Sequence, residues 1–260
     1  MKIIVILAAI LFALLVLINR KRGVKAFFSL FVNFTLIVLS VWLIDAGINP
    51  IFIALVFSTA AAAFILFFIN GVNDKTRIAY FSVVLVLLLI SLFIVFIGYQ
   101  GRLTGFGLRF TDMYYIYRPN LSVNFVQVAV AVILISLTGA ITDTALDIST
   151  SLHEVYRNNP HLSFEELVRS GRNMGSDILG TMVNTLFFVF IGDFLGFILV
   201  YLRYGQSFGV IINDPLFLQE ISQFLIGNLG CVLVIPATIL VQSFIYSRKE
   251  PRPAEREERR

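Results

Sequence analysis

The chain has 260 residues, of which 58% are hydrophobic and only 14% are charged, and its mean hydropathy is +0.89. Because soluble domains are about half apolar, this composition excludes an ordinary water-soluble fold and predicts a membrane protein. The formal net charge is +4, but the basic residues flank apolar runs and form no patch with aromatics between them, which argues against nucleic-acid binding. The single cysteine, Cys231, excludes a disulfide framework and a cysteine metal site.

Apolar runs of about the length that a helix needs to cross a bilayer follow one another along the chain. We therefore predict an all-α bundle of about seven transmembrane helices. The predicted spans are residues 3–18, 26–44, 51–69, 78–98, 124–143, 178–202 and 224–246. The first run resembles a signal peptide, but Arg20, Lys21 and Arg22 follow it where a cleavage site would lie, so we expect a retained helix.

The basic residues predict the orientation of the chain. The connection 20–25 and the connection with Lys75 and Arg77 are basic, whereas the connection 45–50 between them carries no cation. Positively charged loops stay in the cytoplasm, which places the N-terminus outside and the C-terminus inside. The loop 100–123 is then outside, although it contains three arginines.

The stretch after the fifth span predicts a short cytoplasmic amphipathic helix. Pro160 interrupts the chain, and Ser163 and Glu166 have the spacing of a capping box, with Leu162 and Leu167 placed for a hydrophobic staple. We assign residues 1–247 to the transmembrane domain. The remainder, 248–260, mixes Arg, Glu and Pro with nothing to bury, so we expect a disordered cytoplasmic tail.

Two spans carry polar side chains at helical spacing, in the stretches GAITDTALDISTSLHE and DILGTMVNT. Asp143 and Asp147 share a face of the first helix, and Asp177 lies on the second. If the two stripes face each other, neighbouring Thr and Asn side chains could hydrogen-bond the acids. The supporting polar residues in this prediction are Thr144, Thr181, Asn184 and Thr185.

These acids have two interpretations. An ionisable side chain in the hydrocarbon is costly, so Asp143, the deepest acid, is predicted to bind and release a proton or ion as the helices move. The alternative is that both stripes hold helices together, helped by Gly139, Gly180, Gly192 and Gly196. We favour ion coupling for Asp143 and helix contacts for the uncharged residues. For Asp147 and Asp177 both interpretations stay open.

We expect no enzyme activity and no cofactor. His153 and His161 lack the spacing of a zinc motif, and the sequence has no nucleophile elbow, Walker loop or dinucleotide fingerprint. Both histidines are interpreted as solvated loop residues. Pro236 is expected to kink the last span, with Thr238 satisfying the freed backbone groups.

The stretches GAITDTALDISTSLHEVYRNNP and SFEELVRSGRNMGSDILGTMVNTL resemble the YibE/YibF family of bacterial membrane proteins. The likeness covers a core of about residues 70–240. It implies a bacterial plasma-membrane location, acids of interest at Asp143 and Asp177, and a second subunit of this type, or a second copy, as partner. Asp147 departs from the family pattern. A more distant similarity to the membrane halves of SecD/SecF and RND permeases implies a proton-binding Asp143.

The sequence therefore predicts a proton- or ion-coupled permease subunit of unknown substrate. The alternative is a non-transporting membrane scaffold or assembly factor that docks partners through its cytoplasmic helix and tail. A water-filled, acid-lined cavity would favour the permease. A dry, packed bundle with an apolar outer patch on residues 163–174 would favour the scaffold.

Overall fold

The computed structural model describes residues 2–101, 103, 124–205 and 207–248, and every regular element within these ranges is helical. The elements are α1 (Lys2–Asn19), α2 (Lys21–Asp45), α3 (Pro50–Ala63, continued by a π-helical segment Phe64–Ile69), α4 (Asp74–Gln100), α5 (Phe125–Asn158), α6 (Phe164–Arg203), α7 (Phe208–Ile212) and α8 (Pro215–Ser247). The all-α prediction is confirmed. The predicted tail from residue 249 and most of the loop 100–123 lie outside the described residues.

Six of the described helices are long and apolar enough to cross a membrane: α2, α3 with its π-helical segment, α4, α5, α6 and α8. The shorter apolar helix α1 is a seventh candidate. A helix satisfies its backbone hydrogen bonds within itself, which is what a chain in hydrocarbon needs. The prediction of a polytopic bundle with about seven spans is thus confirmed in its approximate count.

Helices α5 and α8 form the centre of the bundle. Helix α5 packs against α3, α4, α6 and α8, and the largest apolar cluster lies among α3, α4, α5 and α8. Gln219 of α8 bonds to Ala129 of α5, and Gln242 farther along α8 bonds to Ser149 farther along α5. These two helices therefore run parallel.

Glycines with close neighbours bring the central helices together. A Cβ at Gly175 of α6 would lie 2.6 Å from Ile235 of α8, and one at Gly230 of α8 would lie 2.5 Å from Ile141 of α5. The glycines singled out from the sequence behave differently. Nothing in the described part of the chain comes within 4 Å of a Cβ at any of them: Gly139, Gly180, Gly192 and Gly196. The expectation that they pack helices within this chain is wrong.

Helix α6 begins where the capping box predicted. The Ser163 hydroxyl accepts a bond from the Glu166 backbone at 3.4 Å, and the Glu166 carboxylate accepts one from the Ser163 backbone at 2.8 Å. Leu162 and Leu167 join the same apolar cluster, as the staple requires. The helix then continues for 40 residues into the sixth predicted span. The predicted short cytoplasmic helix is therefore not separate but the first part of one continuous helix, whose buried glycines, Gly171 and Gly175, pack against α8.

Ser163→Ala is expected to lower the free energy of unfolding by about 1 kcal/mol, since it removes the side-chain cap of α6. Thermal unfolding in detergent measures this, with the buried thiol of Cys231 reacting with a dye as the chain opens. Glu165→Ala, an exposed change in the same turn, is the matched control. Equal effects of the two substitutions would show that the cap does not stabilise α6.

Helix α8 continues through Pro236 to Ser247. The Thr238 hydroxyl is buried, and no described residue forms a hydrogen bond with it. Thr238 was predicted to satisfy the backbone groups that Pro236 frees, and the structure contradicts that role.

Candidate functional site

The two acids of α5 lie on its outward face. Asp143 and Asp147 are exposed, and their charges are close enough to act on each other. The residues between and beside them, Thr144, Ala145 and Ile148, are buried against other helices. The helical spacing of the sequence thus does place both acids on one face, and that face is the one α5 turns away from the core.

The polar stripe of α6 is also exposed. Asp177, Thr181, Asn184 and Thr185 all lie at the surface of the bundle. The Thr181 hydroxyl donates to the Asp177 backbone carbonyl at 3.3 Å, Asn184 donates to that of Gly180 at 3.0 Å, and Thr185 to that of Thr181 at 2.9 Å. These side chains bond back to their own helix, so the predicted hydrogen bonds to the acids are not formed.

The three acids lie at similar depth. Ile148 of α5 lies beside Gly175 of α6, and the two helices form an antiparallel pair joined by a short turn. With a rise of about 1.5 Å per residue, Asp177 falls level with the segment between Asp143 and Asp147, so the three span about 6 Å of depth. In the described ranges no side chain donates a hydrogen bond to the Asp143 or Asp177 carboxylate. The three acids share a level and an outward exposure, and no described hydrogen bond joins Asp177 to either acid of α5.

Thr144 is on a different face from the acids. Its side chain is buried, and its hydroxyl donates to the Ala140 carbonyl at 2.7 Å and lies 3.5 Å from the Cys231 sulfur of α8. Asp143 is close enough to that sulfur for an electrostatic interaction. Thr144 and Cys231 are therefore buried polar residues that lie close to the acidic face of α5 at the level of Asp143.

His161 is an exposed residue of the turn before α6, as predicted, whereas the same interpretation is wrong for His153. It lies on α5, is half-buried, and its Nδ1 is 2.7 Å from the hydroxyl of Tyr246 of α8. Tyr156 stacks on the same tyrosine with ring centroids 4.4 Å apart. The sequence did carry a signal for this cluster. Gln242 and Tyr246 are one helical turn apart in the last span, and their shared face meets α5.

One cavity of about 380 Å³ lies between α6 and α8. Its lining is apolar apart from Arg172 and Ser176, and none of the predicted acids borders it. As for metals, the described part of the chain contains no group of three or more His, Cys, Asp or Glu side chains able to hold an ion. The candidate site is thus an open acidic face on α5 and α6, placed beside a bundle interior that also contains polar groups.

Comparison with known proteins supplies the family. The profile of the YibE/F-like protein family matches residues 7–248. The match includes the first two apolar helices, so it is longer than the core of 70–240 inferred from the motifs. No curated protein and no solved structure matches the chain. Because the profile covers well over half of the sequence, the chain belongs to the YibE/F-like protein family.

Proposed function

We propose that this chain is a proton- or ion-coupled permease subunit in which Asp143 binds the coupling ion. The observation that carries the proposal is the open face of α5, where Asp143, at the end of the fifth predicted span, and Asp147 lie one turn apart. Ionisable side chains in membrane spans are rare, and they are found where ions or protons move. Asp177, at the same level on α6, is the proposed second acid of the path.

The exposed acids support a further part of the proposal, a partner subunit. A carboxylate facing lipid is costly, so it needs to be covered by protein or to line a hydrated space. Gly139 lies on the acidic face of α5 and Gly180 on α6, and both have open space around them. Small residues let a second transmembrane helix approach closely. The proposed partner is a second YibE/F-type subunit or a second copy of this chain.

The basic connections support a location and an orientation. Lys75 and Arg77 begin α4, and Arg157 and Arg169 flank the turn between α5 and α6. These cations lie at one end of the bundle, because Ser149 of α5 bonds to the Lys75 backbone. The positive-inside rule then favours a position of this end on the cytoplasmic side of a bacterial plasma membrane, with the N-terminus outside. The proposed role involves no chemical conversion.

The proposal is tested by proton flux into proteoliposomes that hold the chain with its proposed partner, under an imposed pH gradient and potential. Asp143→Asn keeps the side-chain size but cannot exchange a proton, so it should reduce flux by about tenfold or more. Asp193→Asn changes an exposed acid of α6 to which no role is assigned, and it should retain flux. Flux that survives Asp143→Asn in a folded protein would contradict the proposal.

The second candidate function is a non-transporting scaffold or assembly factor. The observation that favours it is the exposure of α6, in which only Leu167, Gly171, Gly175 and Phe194 are buried. A helix with so much free surface can dock a partner along its whole length. Absence of flux from the wild-type complex, together with stable capture of a partner through α6, would favour this function over transport.

A further inference from the structure

Helix α8 carries buried polar atoms that no described residue satisfies. They are Gln219 Oε1, Asn228 Oδ1, Thr238 Oγ1, Gln242 Oε1 and Ser243 Oγ. Buried hydrogen-bonding atoms nearly always have a partner, either protein or ordered water. Water molecules inside proteins typically bind at such otherwise unsatisfied groups. A concentration of these atoms along one helix therefore points to hydration next to that helix.

Thr238 and Gln242 lie one turn apart on α8, and both are fully buried. The Gln242 amide nitrogen donates to the Ser149 carbonyl of α5 at 2.9 Å, which leaves the amide oxygen without a partner in the described chain. The Ser149 hydroxyl donates to the Lys75 carbonyl of α4 at 2.9 Å. Three helices thus meet at a polar junction around Ser149, in which the Gln242 amide oxygen is still able to bind water. The unsatisfied Thr238 hydroxyl lies one turn away from Gln242 on α8.

The polar contacts continue along the α5–α8 boundary in both directions. Toward the helix ends lies the 2.7 Å contact of His153 with Tyr246, next to the exposed ion pair of Glu154 with Arg157. Toward the middle of the helices lies the contact of Thr144 with Cys231, beside Asp143. We call this series the α5–α8 seam, defined by Thr144, Ser149, His153, Cys231, Thr238, Gln242 and Tyr246.

The spacing of the seam suits a chain of water molecules. Cys231, Thr238 and Gln242 all lie on α8, so Thr238 is between the other two along the helix axis. At about 1.5 Å per residue, it is about 6 Å along the axis from Gln242 and about 10 Å from Cys231. Hydrogen bonds of about 2.8 Å let one water cover the first distance and three cover the second. The Thr238 hydroxyl is therefore placed to bind water midway along the chain of water molecules.

We propose that ordered waters fill the α5–α8 seam and form a hydrated half-channel from the His153 end of the bundle to Asp143. The waters bind the Thr238 hydroxyl and the Gln242 amide oxygen, and His153 with Tyr246 forms the mouth. The half-channel deepens the proposed function, because it gives the coupling ion a route to Asp143 through the interior of this chain. Its hydration does not depend on transport, so the two proposals can fail separately.

The single cysteine makes the half-channel testable. Silver ions, which are close to water in size and bind thiols, are added to the folded wild-type chain in detergent. The thiol that remains free is then counted with a dye after denaturation. Cys231 is fully buried, and it lies at the inner end of the seam. We expect silver to consume it at least about tenfold faster than a thiol at a dry position, because water held by the polar groups of the seam gives the ion a path to the sulfur.

A dry thiol at matched depth is provided by Val83→Cys in a Cys231→Ala background. Val83 is fully buried in the apolar cluster, on α4. Helix α4 runs antiparallel to α5, with Lys75 beside Ser149 and Gly98 beside Val130, so Val83 lies near the level of Ile141. Ile141 also packs on Gly230, next to Cys231. Equal silver rates for the two thiols would overturn the half-channel.

Thr238→Val removes the hydroxyl without a change in volume, and it should slow the silver reaction of Cys231 by about tenfold. It should also lower the melting temperature, because the bound water loses a partner, whereas removal of a dry, unsatisfied hydroxyl would raise it. A fast reaction that Thr238→Val leaves unchanged would mean that silver enters by another route, and it would also overturn the proposal. Rapid silver access without proton flux would leave the half-channel standing and refute the coupled transport instead.

Discussion

Gly175→Leu is expected to separate α6 from the rest of the bundle and to lower the free energy of unfolding by about 3 kcal/mol or more. A Cβ at this position would already lie 2.6 Å from Ile235 of α8 and 3.5 Å from Ile148 of α5. The further carbons of leucine have no space between those two helices, so the contact has to open. Thermal unfolding in detergent, followed through the reaction of the buried Cys231 thiol with a dye, measures the loss.

Gly180→Leu is the matched control, since it adds the same atoms to the same helix. Nothing in the described chain lies within 4 Å of a Cβ there, and the position is exposed. The isolated chain should keep its stability or gain up to about 1 kcal/mol, because glycine is a poor helix former. If both substitutions destabilise the chain equally, the close packing at Gly175 is not what holds α6 in place.

The second large effect is expected in association. Gly139→Leu and Gly180→Leu should each weaken binding of the proposed partner subunit by about tenfold or more, because close helix approach in membranes depends on small residues. The fraction of associated chains is measured in lipid vesicles, for this chain alone and with a second YibE/F-type subunit. The fold of each variant is checked by the Cys231 assay described above.

Leu89→Phe is the control for this experiment, since it adds bulk to an exposed position of α4 on another part of the surface. It should leave association unchanged. If Gly139→Leu and Gly180→Leu also leave association unchanged, the acidic face of α5 and α6 is not covered by a subunit, and the partner part of the proposed function fails. If Leu89→Phe disrupts it equally, the interface lies elsewhere.

The sequence predicted the elements of this fold better than their contacts. Apolar length determines that a segment can cross the membrane, so the first four predicted spans end near the ends of α1 to α4. Helices α5, α6 and α8 extend well beyond the predicted spans, because their polar turns continue the helix outside the apolar run. The Ser163 capping box located the start of α6 because a cap acts locally. The sequence did not predict that α6 runs unbroken from its cap into its span, nor that Gly171 and Gly175 meet α8, because spacing along one segment does not reveal its contacts with a distant one.

In the candidate site, too, the sequence predicted local grouping better than contacts between helices. Helical spacing correctly grouped Asp143 with Asp147 on one face, but it could not tell whether that face meets another helix or the surroundings. In a soluble helix the apolar stripe points to the core, whereas these spans are apolar on almost every side. The interior polar groups, such as Gln242 bonded to Ser149, became visible only when two distant segments were brought together.

The unbroken length of α6 has a mechanical consequence. Forty residues at about 1.5 Å each give a rod of about 60 Å, roughly twice the hydrocarbon thickness of a bilayer. Only about half of α6 can therefore lie in the membrane, and the part that begins at Phe164 extends beyond it. The helix is continuous between these two parts. A tilt of about 10° around the midpoint would move each end by about 5 Å. Such a lever would convert a small rearrangement beside Asp177 into a displacement that a protein outside the membrane could sense.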